Sequence, residues 1–144
     1  MSDPLTQALA ALPHGPEFRF LDQVTALDPG RSGSGEYRVR GDEEFLRGHF
    51  PGDPLLPGVL LVEIAAQLAG VVAQSDPGLP PLPDLRLTAI RQAKILGAVR
   101  PGERVLVSAR VVGRMQNLVQ AEATAEVGGR VVLTAQLVLS GTNP

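Results

Sequence analysis

Two side chains in this sequence stand out for the chemistry they could perform, His49 and Glu63. His49 lies in Gly41–Gly58, a stretch holding Pro51, Pro54, Pro57 and four glycines. Proline lacks an amide donor and fixes its own φ, so this stretch is a shaped loop rather than a regular element. Glu63 lies in Val59–Ala73, an apolar run broken only by Glu63 and Gln67. A carboxyl in apolar surroundings is pushed towards its protonated form. Gln67, four residues on, shares a helical face with it and can satisfy one of its oxygens or its proton. The first-turn amides at Gly58, Val59 and Leu60 have no acceptor within a helix, and Gly58 has no side chain to block an approaching group. Such a helix end suits a carbonyl oxygen that gains negative charge. A base, an acid and an oxyanion-stabilising helix tip together suit proton removal next to a thioester carbonyl, with an acid protonating a departing hydroxyl. Two plainer roles stand beside these: His49 as a structural loop residue, and Glu63 as the partner of a core arginine such as Arg91.

The elements that must position these groups follow from periodicity and from proline and glycine placement. A short helix starts at Ser2 or Asp3, with Pro4 in its first turn, and runs over Leu5–Leu12 until Pro13. Phe18–Asp28 reads as a strand, Pro29-Gly30 as a turn and Ser32–Arg40 as a second strand. Pro57 opens the one uninterrupted helical window, Pro57–Ser75. A helix apolar on every face is buried on every face. Asp76–Asp84 is a proline-rich connection. Leu85–Val99 and Arg104–Arg114 read as strands flanking the turn Arg100–Glu103, and Gln116-Asn117 marks the next turn. Val119, Ala121, Ala123, Ala125 and Val127 alternate with polar residues. Gly128-Gly129 then turns the chain into Val131–Leu139, where Val131, Leu133, Ala135, Leu137 and Leu139 form one face. The pattern is an antiparallel meander curled around one central helix, with an open side for a second copy of the chain. Phe18, Phe20, Tyr37, Phe45 and Phe50 read as core and pocket lining.

Composition narrows the function. The 144 residues (15.1 kDa) with 44% apolar residues suffice for one domain spanning 1–144 with a proper core. A net charge of −2 argues against a dedicated nucleic-acid binder. With no cysteine and only two histidines, thiol catalysis, disulfides and a multi-histidine zinc site are not expected. The N-terminus lacks the basic start and long apolar stretch of a signal peptide, and the apolar run 59–73 is shorter than the ~20 residues of a membrane span. A cytoplasmic protein without membrane attachment is the expectation.

The run FLRGHFPGDPLLPGVLLVEIAAQLAG, residues 45–70, resembles the signature of the FabZ-type 3-hydroxyacyl-[acyl-carrier-protein] dehydratases. The matching parts are Gly48-His49-Phe50-Pro51-Gly52, Pro57-Gly58-Val59-Leu60, Glu63 and Ala66-Gln67. Leu12-Pro13-His14, Phe20-Leu21-Asp22 and Val99–Glu103 add weaker likeness over most of the chain. The resemblance implies the α+β hotdog fold, a long antiparallel sheet wrapped around a central buried helix. It implies a homodimer whose two sheets join, in relatives often three dimers to a hexamer, with His49 of one copy facing Glu63 of the other. The implied reaction is loss of water from a 3-hydroxyacyl chain, carried on the 4'-phosphopantetheine arm of acyl carrier protein, to give the trans-2-enoyl thioester. It implies neither a cofactor nor a metal.

Carried over to this sequence, His49 takes the C2 proton and Glu63 protonates or orients the C3 hydroxyl. Gly58 and Val59 bind the thioester carbonyl, Gln67 holds Glu63, and Phe50, Pro51, Gly52, Leu56 and Leu60 line the substrate path. Two segments depart from the family pattern, Gly15-Pro16-Glu17 and Ala89–Leu96, and both border the acyl tunnel in relatives. They leave both fatty acid biosynthesis and a polyketide- or polyene-type pathway open as the setting of the reaction. A hotdog acyl thioesterase and a non-catalytic acyl-chain or carrier-protein binding subunit are the alternatives. Carrier protein is acidic, so Arg91, Lys94, Arg100 and Arg104 are candidate docking residues.

Overall fold

The computed structural model describes residues 3–48 and 52–142; His49, Phe50 and Pro51 lie outside the described residues. Proline and glycine set many of the element boundaries. Helix α1 (Pro4–Ala10) is capped by Asp3, whose carboxylate accepts the Leu5 and Thr6 amides at 2.8 and 3.1 Å, with Pro4 in the first turn. Helix α2 (Gly58–Gln74) starts just after Pro57 and ends at Ser75, before Pro77.

Six strands follow the expected order in sequence: β1 (Gln23–Asp28), β2 (Ser32–Arg38), β3 (Arg86–Ile95), β4 (Arg104–Met115), β5 (Leu118–Val127) and β6 (Arg130–Ser140). They form one antiparallel sheet in the order β1-β2-β4-β5-β6-β3. Only β4-β5-β6 is a meander. α2 carries the chain across the sheet, so β3 lands on the far edge beside β6 and leaves the middle to the later hairpins. The tight β5–β6 turn uses Gly128 and Gly129, both at positive φ (57° and 83°), as a two-residue type I′ hairpin requires.

α2 packs against one face of the sheet and touches all six strands. Leu61, Ile64, Ala65, Leu68, Ala69 and Val72 are at most 1% exposed. The sheet surface beneath them is built from small residues. Ala109, Ala121, Ala123, Ala125 and Ala135 are buried there. A methyl group at Gly33 of β2 would come within 3.0 Å of Val72 Cγ2, so glycine lets the helix lie close. On β5 the inward alternation runs from Val119 to Val127 as the pattern requires. On β6 Val138 is buried although it has outward parity, and the alternation itself breaks near the start of the strand. A bulge separates the pairs Ala125–Leu133 and Glu126–Val131, so Val132 turns inward (0% exposed) and Val131 outward (42%).

The first strand is shorter than its sequence suggests. Residues 16–18 form a 3-10 turn and β1 starts only at Gln23. The intervening segment crosses α2 as a strap, because Gln67 takes the backbone groups of Phe18 and Phe20. β2 likewise ends at Arg38, two residues early. β3 is interrupted by bulges at Thr88 and Arg91 and is exposed along most of its length.

Candidate active site

Glu63 sits about one and a half turns into α2, on the flank the sheet leaves uncovered. Its side chain is 22% exposed. It lines a cavity of about 720 Å³ between α2, the α1 end of the chain and the start of β3. The walls are mostly apolar, including Leu12, Phe18, Ala66, Val71, Leu85 and Leu87. Gly70, four residues beyond Ala66 on the same flank, keeps the floor open.

Gln67 is 1% exposed and fully engaged. Its Oε1 accepts the Phe20 amide at 2.8 Å, and its Nε2 donates to the Phe18 carbonyl at 2.8 Å and to Glu63 Oε2 at 3.0 Å. The backbone partners determine which end of the amide is oxygen, so the donor that reaches Glu63 is assigned by the network. One side chain therefore pins the strap to α2 and holds the carboxyl. The second group on Glu63 is His14, whose Nε2 lies 3.4 Å from the same Oε2. His14 stacks on Phe18 with ring centroids 6.2 Å apart, and Arg19 ties down its backbone through the Leu12 and His14 carbonyls at 2.9 and 3.3 Å. Arg91 lies on the exposed strand β3, and it is His14 that contacts Glu63.

The tip of α2 begins without any side-chain cap. Val59 is 71% exposed there. Gly58 is needed for close packing on its other side, since a Cβ would meet Ile95 Cδ1 at 2.9 Å. The tip is not part of the cavity wall of this chain, nor are Leu56 and Leu60. Leu56 is a core residue, 3% exposed, whose amide donates to the Val99 carbonyl at 2.8 Å; Leu60 packs at the core margin. Gly52 takes φ +89°, a conformation that favours glycine, just after the segment 49–51.

The loop that follows β2 begins with a carboxylate-closed turn. Tyr37, 1% exposed, donates its hydroxyl to Glu43 Oε2 at 2.6 Å, and Glu43 also accepts the Arg40 and Gly41 amides at 3.1 and 2.7 Å. Burial opposes ionisation of Glu43, but these hydrogen bonds outweigh it and hold the carboxyl below its usual range. Burial and the Glu43 contact together push the Tyr37 hydroxyl well above its usual range.

Sequence reasoning singled out Glu63 and Gln67, and the structure brings them together. It did not foresee His14 at the carboxyl. No spacing links positions 14 and 63; the only signal was a histidine in the Leu12-Pro13-His14 likeness.

A family model described as the FabA-like domain matches residues 12–136. The chain belongs to the FabA-like family. Relatives named 3-hydroxyacyl-[acyl-carrier-protein] dehydratase FabZ include that of Thermoanaerobacter sp., 33% identical over 88% of this chain and 89% of the relative. That of Levilactobacillus brevis is 34% identical over 91% and 88%. Among solved structures, the dehydratase heterocomplex ApeI:P of Xenorhabdus doucetiae aligns with a TM-score of 0.78 at 20% identity, covering 96% of this chain and 91% of that one. The zebrafish thioesterase superfamily member 2 aligns at 0.70 and 16% identity, covering 94% and 92%. The structural neighbours share the hotdog fold with this FabA-like chain, while family membership rests on the sequence matches. No helix among the described residues is long and apolar enough to cross a membrane.

Proposed function

We propose that this protein dehydrates 3-hydroxyacyl chains carried as thioesters on acyl carrier protein, giving the trans-2-enoyl thioester. The observation that carries this reading is the Glu63 carboxyl. It is held by a buried glutamine and opens into an apolar cavity, within a chain of the FabA-like family.

The chemistry divides between two groups. His49 takes the C2 proton on its imidazole while the amides of Gly58 and Val59 hold the thioester oxygen as it gains negative charge. Electron density from the broken C2–H bond forms the C2–C3 double bond. The C3–O bond breaks as Glu63 delivers its proton, and water leaves. The proton held on His49 then restores Glu63 through solvent or the departing water. The apolar walls around Glu63 keep bulk water from competing for the enolate.

His49 comes from a second copy in this reading, so the site is completed in a homodimer. The outer edge of β3 supports that arrangement. Ile90, Ile95 and Leu96 on and beside it are 51%, 50% and 58% exposed, an apolar edge suited to pairing with its own copy. Further assembly into a trimer of dimers fits the same reading. For carrier-protein docking, Arg91 and Lys94 are the stronger candidates. Arg100 already contacts Asp53 at 3.7 Å and Arg104 contacts Glu36 at 4.0 Å.

The test is to incubate the protein with 3-hydroxyacyl-carrier thioesters of graded length and to follow products by mass. Loss of 18 mass units (one water) is the expected result, abolished in His49→Ala and in Glu63→Gln. Release of free carrier thiol would instead indicate a thioesterase, and binding without turnover a non-catalytic subunit.

A further inference from the structure

We infer that His14 is a positioning residue for Glu63, fixing which carboxyl oxygen carries the working proton; this rests on the dehydratase reading above. Two side-chain nitrogens converge on one oxygen of Glu63. Gln67 Nε2 donates to Oε2 at 3.0 Å, and His14 Nε2 lies 3.4 Å from the same atom at ion-pair distance. Oε1 has no partner among the described residues. An oxygen that already accepts from Gln67 and lies against the His14 Nε2 is a poor place for a proton. The acid proton of Glu63 therefore sits on Oε1, in the cavity-lining carboxyl.

The rest of the imidazole shows why His14 positions rather than relays. Its Nδ1 is buried without any hydrogen-bond partner. A proton accepted at Nε2 would have no onward path through the ring. A buried orphan N–H is rarer than an orphan lone pair, so the form that fits is the tautomer with hydrogen on Nε2 and the lone pair on the sealed Nδ1. Phe18 stacks on the ring, and the Arg19 guanidinium holds the His14 and Leu12 carbonyls. The imidazole is thus locked in place before substrate arrives, as a site that must hold a reacting group in a narrow geometry requires.

Three variants separate donor from shape. His14→Phe keeps the aromatic stack and removes the donor. His14→Gln removes the ring and returns an N–H at similar reach. His14→Ala removes both. Misplacement of a reacting group by about 1 Å can cost ~100-fold, so Phe and Ala variants should lose about 10- to 100-fold in kcat with KM within about twofold. The Gln variant should recover most of that loss. Equal loss in the Gln and Phe variants, or a loss confined to KM, overturns the proposal.

A second readout is independent of turnover. With 15N-labelled histidine, the wild-type dimer should show His14 (assigned by its absence in His14→Phe) as the Nε2–H tautomer, with resonances that move in Glu63→Gln. An Nδ1–H tautomer, or no response to Glu63→Gln, overturns the proposal. If the histidine spectra behave as expected while no thioester is dehydrated, the assigned reaction fails and the contact stands.

Discussion

The two flanks of α2 solve opposite problems with one helix. The flank facing the sheet carries Leu61, Ile64, Ala65, Leu68 and Val72 against glycine and alanine, and water is excluded from it. The other flank carries Glu63, Ala66, Gly70 and Gln74 along the wall of a cavity. Gln67 sits between them, buried like the first flank and hydrogen-bonded like the second. The helix is apolar enough to be fully covered, yet the sheet covers only one side. The uncovered side is where a polar group can be held in apolar surroundings and still be reached.

Substitutions on the two flanks should therefore have opposite signatures. Glu63→Gln has nearly the same shape, so the free energy of unfolding should stay within about 1 kcal/mol while kcat falls by about 100- to 10,000-fold, the usual worth of a positioned acid or base. A loss of stability as large as the loss of turnover would erase the distinction between flanks. Leu68→Ala should do the reverse. It leaves a hole in a 0%-exposed site, costing about 2–5 kcal/mol in denaturant unfolding, with turnover per folded molecule retained.

Gln67→Leu should fall between the two. It leaves the Phe20 amide and Phe18 carbonyl without their partner, at about 1–3 kcal/mol for a buried unsatisfied group, and it removes one donor from Glu63. Stability and kcat should both drop; an intact kcat would show that the strap and the carboxyl are independent.

The smallest effect is expected at Tyr37→Phe, near the end of β2. Glu43 has its folded-state titration below its unfolded one, so its contribution is present above the usual glutamate range and disappears as pH falls through the folded value. Removing the Tyr37 hydroxyl should lower stability near neutral pH by about 1 kcal/mol. The difference from wild type should shrink on acidification, as read by urea titrations at several pH values. A difference independent of pH would remove Glu43 from the account.

Much of the chain was legible before folding because its signals are local. Pro57 and Pro77 bracket α2, the period-two alternation marks β5, and Gly128-Gly129 marks the hairpin. Where the reading went astray, the competing influence came from elsewhere in the chain. Phe18–Asp22 has strand character, but the Gln67 side chain, 47 residues from Phe20, takes its hydrogen bonds. Val131 has the right parity for the core, but a bulge against β5 turns it outward. The place of β3 in the sheet depends on which edge α2 delivers it to, and its bulges hide any alternation.

The amino-acid order alone determined the order of the elements, the helix bearing Glu63 and Gln67 on one face, and the likeness to the dehydratases, since each depends on residues near one another in the chain. Only the tertiary structure decided that β3 is an edge, that the cavity opens on one flank of α2, and that His14 reaches the carboxyl. Those are contacts between segments far apart in sequence, selected by packing rather than by any local preference.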